Sequence, residues 1–272
     1  MNWTAETLAR IKQVPHFRDG HYADLDVPAT LDYFKRRFVD HRPDKREGAV
    51  VADIGCGYGW LAMAFAAFSD AHVIAVDLDA VRLAAGKEIA ALLGLANRIE
   101  WRVGSLTGSP LADREADVTY CVEVLEHVYR DVHAFGELDR VTKSFLVLTT
   151  PNGAFPVIQH DTRLPFCHWL PMRLRDVYAR LAGRAAMQDG NRFWYPWDLA
   201  KHLHNFRRVS GFFHFAGPDD YFALYPYYLP YGTGEWRRAP SAAMEKYFRL
   251  AARLGRRSHL ALHTLAGTFR RV

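Results

Sequence analysis

Cysteine is scarce. Only Cys56, Cys121 and Cys167 occur in 272 residues, an odd number set far apart. No CxxC pair or His/Cys cluster accompanies them, which excludes a disulfide framework and zinc-ligand spacing; no metal is expected. Long apolar runs are also missing. The most apolar stretch, Leu61 to Phe68, falls far short of the roughly 20 residues a bilayer span needs. The opening run Met1-Asn2-Trp3-Thr4-Ala5-Glu6 lacks the charged and apolar regions of a signal peptide. A cytoplasmic protein without a membrane span is the expectation. No repeat or low-complexity tract is visible. The formal charge is +5, but its basic pairs, Arg36-Arg37, Arg207-Arg208, Arg237-Arg238, Arg256-Arg257 and Arg270-Arg271, are scattered. That pattern reads as a solvated basic surface, and no nucleic-acid partner is expected.

What is present is ordinary globular composition, 50% apolar and 24% charged, with aromatics at 14% and concentrated after residue 155. A helix is expected from Pro28 to Asp40. Ala49 to Ile54 is a short apolar run ending in a glycine loop, the pattern of a buried parallel strand. Tyr58 to Phe68 reads as a helix packed on a sheet, and His72 to Asp77 as a second strand. Asp79 to Leu93 reads as a helix with Asp79 as N-cap and Gly94 as terminator. Strands follow at Ile99 to Val103, Asp117 to Val122 and Phe145 to Thr150, with a helix from Asp131 to Val141. This alternation predicts a parallel sheet with helices on both faces. Pro151, Pro156, Pro165 and Pro171 mark residues 151 to 176 as a long ordered loop. Beyond it, a helix is expected at Pro196 to Asn205, a strand at Val209 to Phe215, a Tyr/Pro-rich stretch at Tyr221 to Tyr231, a helix at Ser241 to Leu254 and a last strand at His259 to Arg270.

The loop Asp53-Ile54-Gly55-Cys56-Gly57-Tyr58-Gly59 follows a strand and opens a helix. Its glycines permit a tight turn and close backbone approach to a ligand, at the strand edge where open α/β sheets bind ligands. Asp77, ending the second strand, is placed to accept from both ribose hydroxyls of an adenosyl group. The spacing is G-x-G-x-G and not the G-x-G-x-x-G of nicotinamide enzymes. An Asp before the loop suits a cationic sulfonium better than a pyrophosphate, and Gly104-Ser105-Leu106 suits a loop beside an adenine ring.

Val51 to Gly59 resembles motif I of class I S-adenosylmethionine-dependent methyltransferases, and Ala75-Val76-Asp77-Leu78-Asp79 resembles their second motif. Ala116 to Val128, with Glu123-Val124-Leu125-Glu126-His127, resembles the strand-four signature of the ubiquinone and menaquinone branch, the type 11 methyltransferase domain. The likeness covers roughly residues 48 to 152. It implies a Rossmann-like, seven-stranded, mostly parallel sheet with the last strand antiparallel, and S-adenosylmethionine as cofactor. Asp53, Gly55, Cys56, Gly57 and Gly59 would hold the methionine moiety and Asp77 the ribose. Leu78 would pack on the adenine, bordered by Gly104, Ser105 and Leu106, and Cys121 would meet the ammonium through its carbonyl. Many relatives carry an acid where Ser105 stands.

On the acceptor side, His127 is the first candidate for a general base, since imidazole titrates near neutrality. His160, beside Asp161, is the second. Glu123, His168, Trp194 and Tyr195 are candidate substrate contacts, whereas Glu126 is expected to be solvated. Tyr22 is expected to fold over the cofactor. Residues 1–47 would form an N-terminal cap and 48–272 the cofactor-binding domain, with substrate-side insertions at about 151–195 and 216–257. The expected reaction methylates a small molecule, at oxygen first, then nitrogen or carbon. Alternatives are an RNA or protein acceptor, or a non-catalytic S-adenosylmethionine-binding protein. Oligomeric state is not legible.

Overall fold

The computed structural model describes residues 3–19, 25–128, 131–158, 162–184, 193–224 and 240–272. Among these, seven strands form one sheet: β1 (Val50–Ile54), β2 (His72–Asp77), β3 (Ile99–Val103), β4 (Ala116–Val122), β5 (Thr142–Pro151), β6 (Phe206–Arg208) and β7 (Thr264–Arg271). Their order is β3-β2-β1-β4-β5-β7-β6. The first five run parallel, whereas β7 pairs antiparallel with both β5 and β6. The order reverses between β1 and β4, and such a switch point opens a crevice at the carboxyl ends of the strands.

The helices are α1 (Ala5–Ile11), α2 (Pro15–Arg18), α3 (Val27–Phe34), α4 (Trp60–Phe68), α5 (Ala80–Leu92), α6 (His133–Val141), α7 (Met172–Leu181), α8 (Pro196–His202), α9 (Pro218–Phe222) and α10 (Ala242–Ala252). Alternation along the central strands divides the core. Val51, Val73 and Val147 face one cluster, built on α4, α5 and the N-terminal helices, while Ala52, Ile74 and Leu148 face another built on α6 and α8. With both faces covered, β1 and β2 read as continuous apolar runs. α4 is apolar nearly all round and correspondingly buried. Residues 5–19 and 25–39 are not peripheral, since Ile11, Phe17, Leu31 and Phe38 are fully buried in the first cluster.

The foot of the sheet is tied by Asp117. Its carboxylate accepts from the Val50 amide at 3.0 Å and pairs with Arg46 at 2.9 Å and Lys143 at 3.1 Å. A third cluster, Phe212, Phe213, Phe215, Tyr221 and Phe248, closes the C-terminal part.

Three expectations need correction. The strand placed at Val209 to Phe215 lies earlier, at Phe206–Arg208. Phe213 adopts φ +47°, and the Gly211 amide donates to the Phe215 carbonyl, so the chain doubles back and its phenylalanines fill a core. The last strand begins at Thr264, because Gly255–Ala261 coils as a 3-10 helix held where Arg208 donates to the Arg256 carbonyl. The stretch 151 to 176 is not loop throughout, since α7 starts at Met172, directly after Pro171.

Candidate active site

β1 ends in a loop whose three glycines all have positive φ: Gly55 at +76°, Gly57 at +57° and Gly59 at +76°. Gly55 and Cys56 donate to the Val76 carbonyl at 2.7 and 3.0 Å, stitching the loop to the neighbouring strand. The Gly57 amide donates to Oδ2 of Asp77 at 2.7 Å, and the Asp79 amide donates to Oδ1 at 2.9 Å. Asp77 therefore braces both the loop and the following turn, leaving one further lone pair on each oxygen. At Gly59 a Cβ would lie 2.5 Å from the Trp101 ring, but at Gly57 it would meet nothing within 4 Å. Gly59 is thus needed for packing, and Gly57 faces open space where a ligand can approach.

Asp53 is buried at the base of the loop, and its Oδ2 has no hydrogen-bond partner among the described residues. Burial pushes its carboxyl up to about 7; the Ala62 amide in the first turn of α4 opposes the shift and the Asp77 charge adds to it. A buried acid with an orphaned oxygen is a receptor for a cationic group. Beside Asp77, Leu78 is 72% and Val103 61% exposed, two bare apolar side chains at the ends of adjacent strands. The adenosyl sulfonium fits these residues. A cation has Asp53, a sugar has Asp77, and a flat aromatic base has an apolar shelf.

The remaining cofactor candidates sit as follows. Burial raises the thiols of Cys56 and Cys121 well above the ordinary range. Cys121 lies within the apolar core, so a ligand contact from it comes through the main chain. Gly104 donates to the Asp77 carbonyl at 3.0 Å. Ser105 Oγ lies 3.2 Å from Thr107 Oγ1 in a tight turn, and the Leu106 side chain is buried.

On the acceptor side, His127 is exposed in a 3-10 turn, Leu125–His127, just past β4. Glu123 has φ +55°, strained for a residue with a side chain, and its amide donates to the Thr149 carbonyl. Glu126 is the correction here. It is buried, not solvated, and Thr150 Oγ1 donates to its Oε2 at 2.9 Å. Burial and then the adjoining, hydrogen-bonded Glu123 raise its carboxyl well above the usual range.

After β5 the chain turns at Asn152, which donates to the carbonyls of Leu262 and His259. The next carbonyl, that of Gly153, accepts from Trp169 Nε1 at 2.8 Å and His168 Nε2 at 3.1 Å. His168 is buried edge-on to Phe193, and burial lowers its basicity. Trp194 is buried and donates to the Leu125 carbonyl at 2.7 Å, while Tyr195 stacks on the exposed Trp197. His160, Asp161, Tyr22 and most of Tyr221 to Tyr231 lie outside the described residues.

Sequence reasoning missed the link between the N-terminal segment and the loop. Tyr58 Oη lies 2.7 Å from His16 Nδ1 and donates to the His16 carbonyl at 3.2 Å. Phe17 packs edge-on against both Tyr58 and Trp60.

A family model described as a methyltransferase domain matches residues 52–145. Sterol 24-C-methyltransferase of Eremothecium gossypii is 26% identical over 239 residues, 86% of this chain and 59% of that protein. Dimethylglycine N-methyltransferase of Parasynechococcus marenigrum is 27% identical over 139 residues, 50% of each chain. The crystal structure of MccD protein is similar in fold, with TM-score 0.51, 14% identity, and coverage of 89% of this chain and 96% of that one. The chain spans 59% and 50% of the length of the two curated relatives. Matched domain, sheet order and glycine loop agree: residues 52–145 match a methyltransferase domain, set in a Rossmann-like fold.

Proposed function

We propose that this protein transfers a methyl group from S-adenosylmethionine to a small-molecule acceptor by in-line displacement. The observation that carries the reading is Asp53, a buried carboxyl with an orphaned oxygen beneath a loop clasped to Asp77. The bound sulfonium supplies the electrophilic methyl. Asp53 gives up its proton and offers negative charge to the cationic amino-acid end. Gly55, Cys56, Gly57 and Gly59 line that end, Asp77 orients the ribose, and Leu78 with the Gly104-Ser105-Leu106 turn borders the adenine. The main chain at Cys121 closes the site towards β4. Positioning alone can supply most of the acceleration for such a displacement.

The acceptor would enter between the ends of β4 and β5. Glu123, held at a left-handed backbone position and adjoining Glu126, presents a carboxyl group there. It is suited to removing a proton or countering positive charge on the acceptor. His127, exposed at the same edge, is a second candidate base. His160 remains a candidate on sequence grounds alone. Trp194 and His168 support the wall through the Leu125 and Gly153 carbonyls, with Tyr195 nearer the surface. The curated relatives are named for methylation at carbon and at nitrogen. The order anticipated from sequence, with oxygen first, has no support from them and is given up; carbon and nitrogen acceptors come first.

The test is transfer of a labelled methyl group from S-adenosylmethionine to a panel of small apolar acceptors, run alongside RNA and protein substrates. Label in a small molecule, lost in Asp53→Asn, is the expected result. Cofactor binding without transfer to any acceptor class would favour a non-catalytic role.

A further inference from the structure

α7 is amphipathic the wrong way round for a helix that only packs on a core. Its fully buried residue is Ala179. Leu174, Val177 and Leu181, spaced i, i+3 and i+7, share one stripe on roughly the opposite side. Leu174 is 53% and Leu181 83% exposed, and Val177 is also exposed. Phe166 and Trp169, just before the helix, and Met172, its first residue, are each about half exposed. Alongside the stripe run Arg173 and Arg180, two turns apart and both exposed, with exposed Arg184 just beyond the helix.

Charge is as uneven as hydrophobicity. From Thr162 to Arg184 the sequence holds Arg163, Arg173, Arg175, Arg180 and Arg184 against the single acid Asp176. The balance of five minus one, +4, compares with +5 for the entire chain. An apolar stripe carrying Leu and Val, bordered by Trp and Phe and flanked by arginines, is the composition of a helix that lies in the plane of a membrane interface. No helix among the described residues is long and apolar enough to cross a membrane, so the geometry is one of resting on a bilayer.

We propose that the segment from Thr162 to Arg184 is a docking surface for an anionic lipid bilayer. A second copy of the chain is the poorer occupant, because a two-fold contact through this face would set two +4 segments against each other. The segment is fastened by Trp169 and His168 to the Gly153 carbonyl, directly after β5. Docking therefore turns the carboxyl edge of the sheet, the acceptor side in the function proposed above, towards the lipid, where an apolar acceptor would be dissolved. The lipid assignment itself does not rest on that function.

Flotation of the full chain with vesicles tests it. Vesicles of phosphatidylcholine with about 30% phosphatidylglycerol should carry the protein at low salt, and vesicles of phosphatidylcholine alone should carry far less. Leu174→Glu with Leu181→Glu should reduce partitioning about 100-fold or more, since both stripe leucines are replaced by charge. Arg173→Gln with Arg180→Gln should weaken it about 30-fold and flatten its salt dependence. Both variants should keep the melting temperature and the S-adenosylhomocysteine affinity of the unmodified protein, which separates this proposal from the one about function. The proposal is overturned if the unmodified protein does not float with anionic vesicles, or if the leucine variant floats equally well. It is also overturned if sedimentation shows a dimer that the leucine variant splits while neither form floats.

Discussion

The Gly57 amide donates a 2.7 Å hydrogen bond to Oδ2 of Asp77, so the glycine loop and the acidic end of β2 move as one body. The carboxylate thereby fixes the loop geometry, in addition to the sugar-binding role proposed for it. Asp77→Asn should retain part of the loop bracing through its remaining oxygen, whereas Asp77→Ala removes both braces. The expectation is a graded loss of S-adenosylhomocysteine affinity, about tenfold for Asn and 100-fold or more for Ala, on the scale of one and two or more charged hydrogen bonds. Equal affinities in the two variants, measured by calorimetry, would contradict the bracing role.

Gly57 and Gly59 should part company. Gly57→Ala places a methyl in open space and costs only the strain of positive φ, about 1–2 kcal/mol. Its thermal stability should fall modestly while cofactor affinity falls sharply, because the methyl occupies ligand space. Gly59→Ala adds a collision with the Trp101 ring and should cost about 3 kcal/mol or more. Thermal melts and calorimetry on the same samples read the split. A Gly57→Ala protein that binds normally would move the ligand elsewhere.

Asp53 predicts a pH dependence. Its carboxyl is raised from 3.8 to about 7 in the folded chain, chiefly by burial. A raised carboxyl contributes stability that is fully present below about pH 4 and is lost as pH climbs through about 7. Asp53→Asn, neutral at every pH, should therefore raise the melting temperature of the ligand-free protein at pH 8, raise it less at pH 5 and change it little at pH 4. The difference should be on the order of a few kcal/mol. Binding a cation to the unmodified protein near pH 6.5 should release a proton, visible as a heat that depends on the ionisation enthalpy of the buffer. Identical heats in phosphate and Tris would sink this assignment.

Glu126 and Thr150 give a further contrast. A protonated acid is matched by an amide, so Glu126→Gln should cost less than about 1 kcal/mol and keep turnover. Glu126→Ala leaves Thr150 and the Glu123 carboxylate without their buried partner and should cost about 2–4 kcal/mol. Urea titrations distinguish the two. If the Gln variant is as damaged as the Ala variant, Glu126 is charged in the fold.

Much of this was legible before the structure. β1 and β2 announce themselves because strands buried on both faces must be continuous apolar runs, and Asp79 and Gly94 cap α5 as expected, with the Asp79 carboxylate accepting from Val81 and Arg82. The motif glycines and Asp77 were visible because such a loop imposes its residue types locally. The C-terminal part was harder. Val209 to Phe215 looks like a strand by composition, yet its aromatics are demanded by a third core cluster made with Tyr221 and with Phe248, a partner distant in sequence. Glu126 was misread for a similar reason. Exposure there depends on a 3-10 turn folding the side chain back onto Thr150 of β5, and no periodicity encodes that. The contact of His16 with Tyr58 joins two segments that carry no shared pattern.

Isothermal calorimetry with S-adenosylhomocysteine, on protein whose cooperative melt shows it folded, addresses the cofactor site most directly. Saturable one-site binding in the micromolar range, reduced 100-fold or more by Asp77→Ala, is the predicted result on the scale of two lost charged hydrogen bonds. No heat with either that ligand or S-adenosylmethionine, at temperatures chosen to give a measurable enthalpy, would contradict the account.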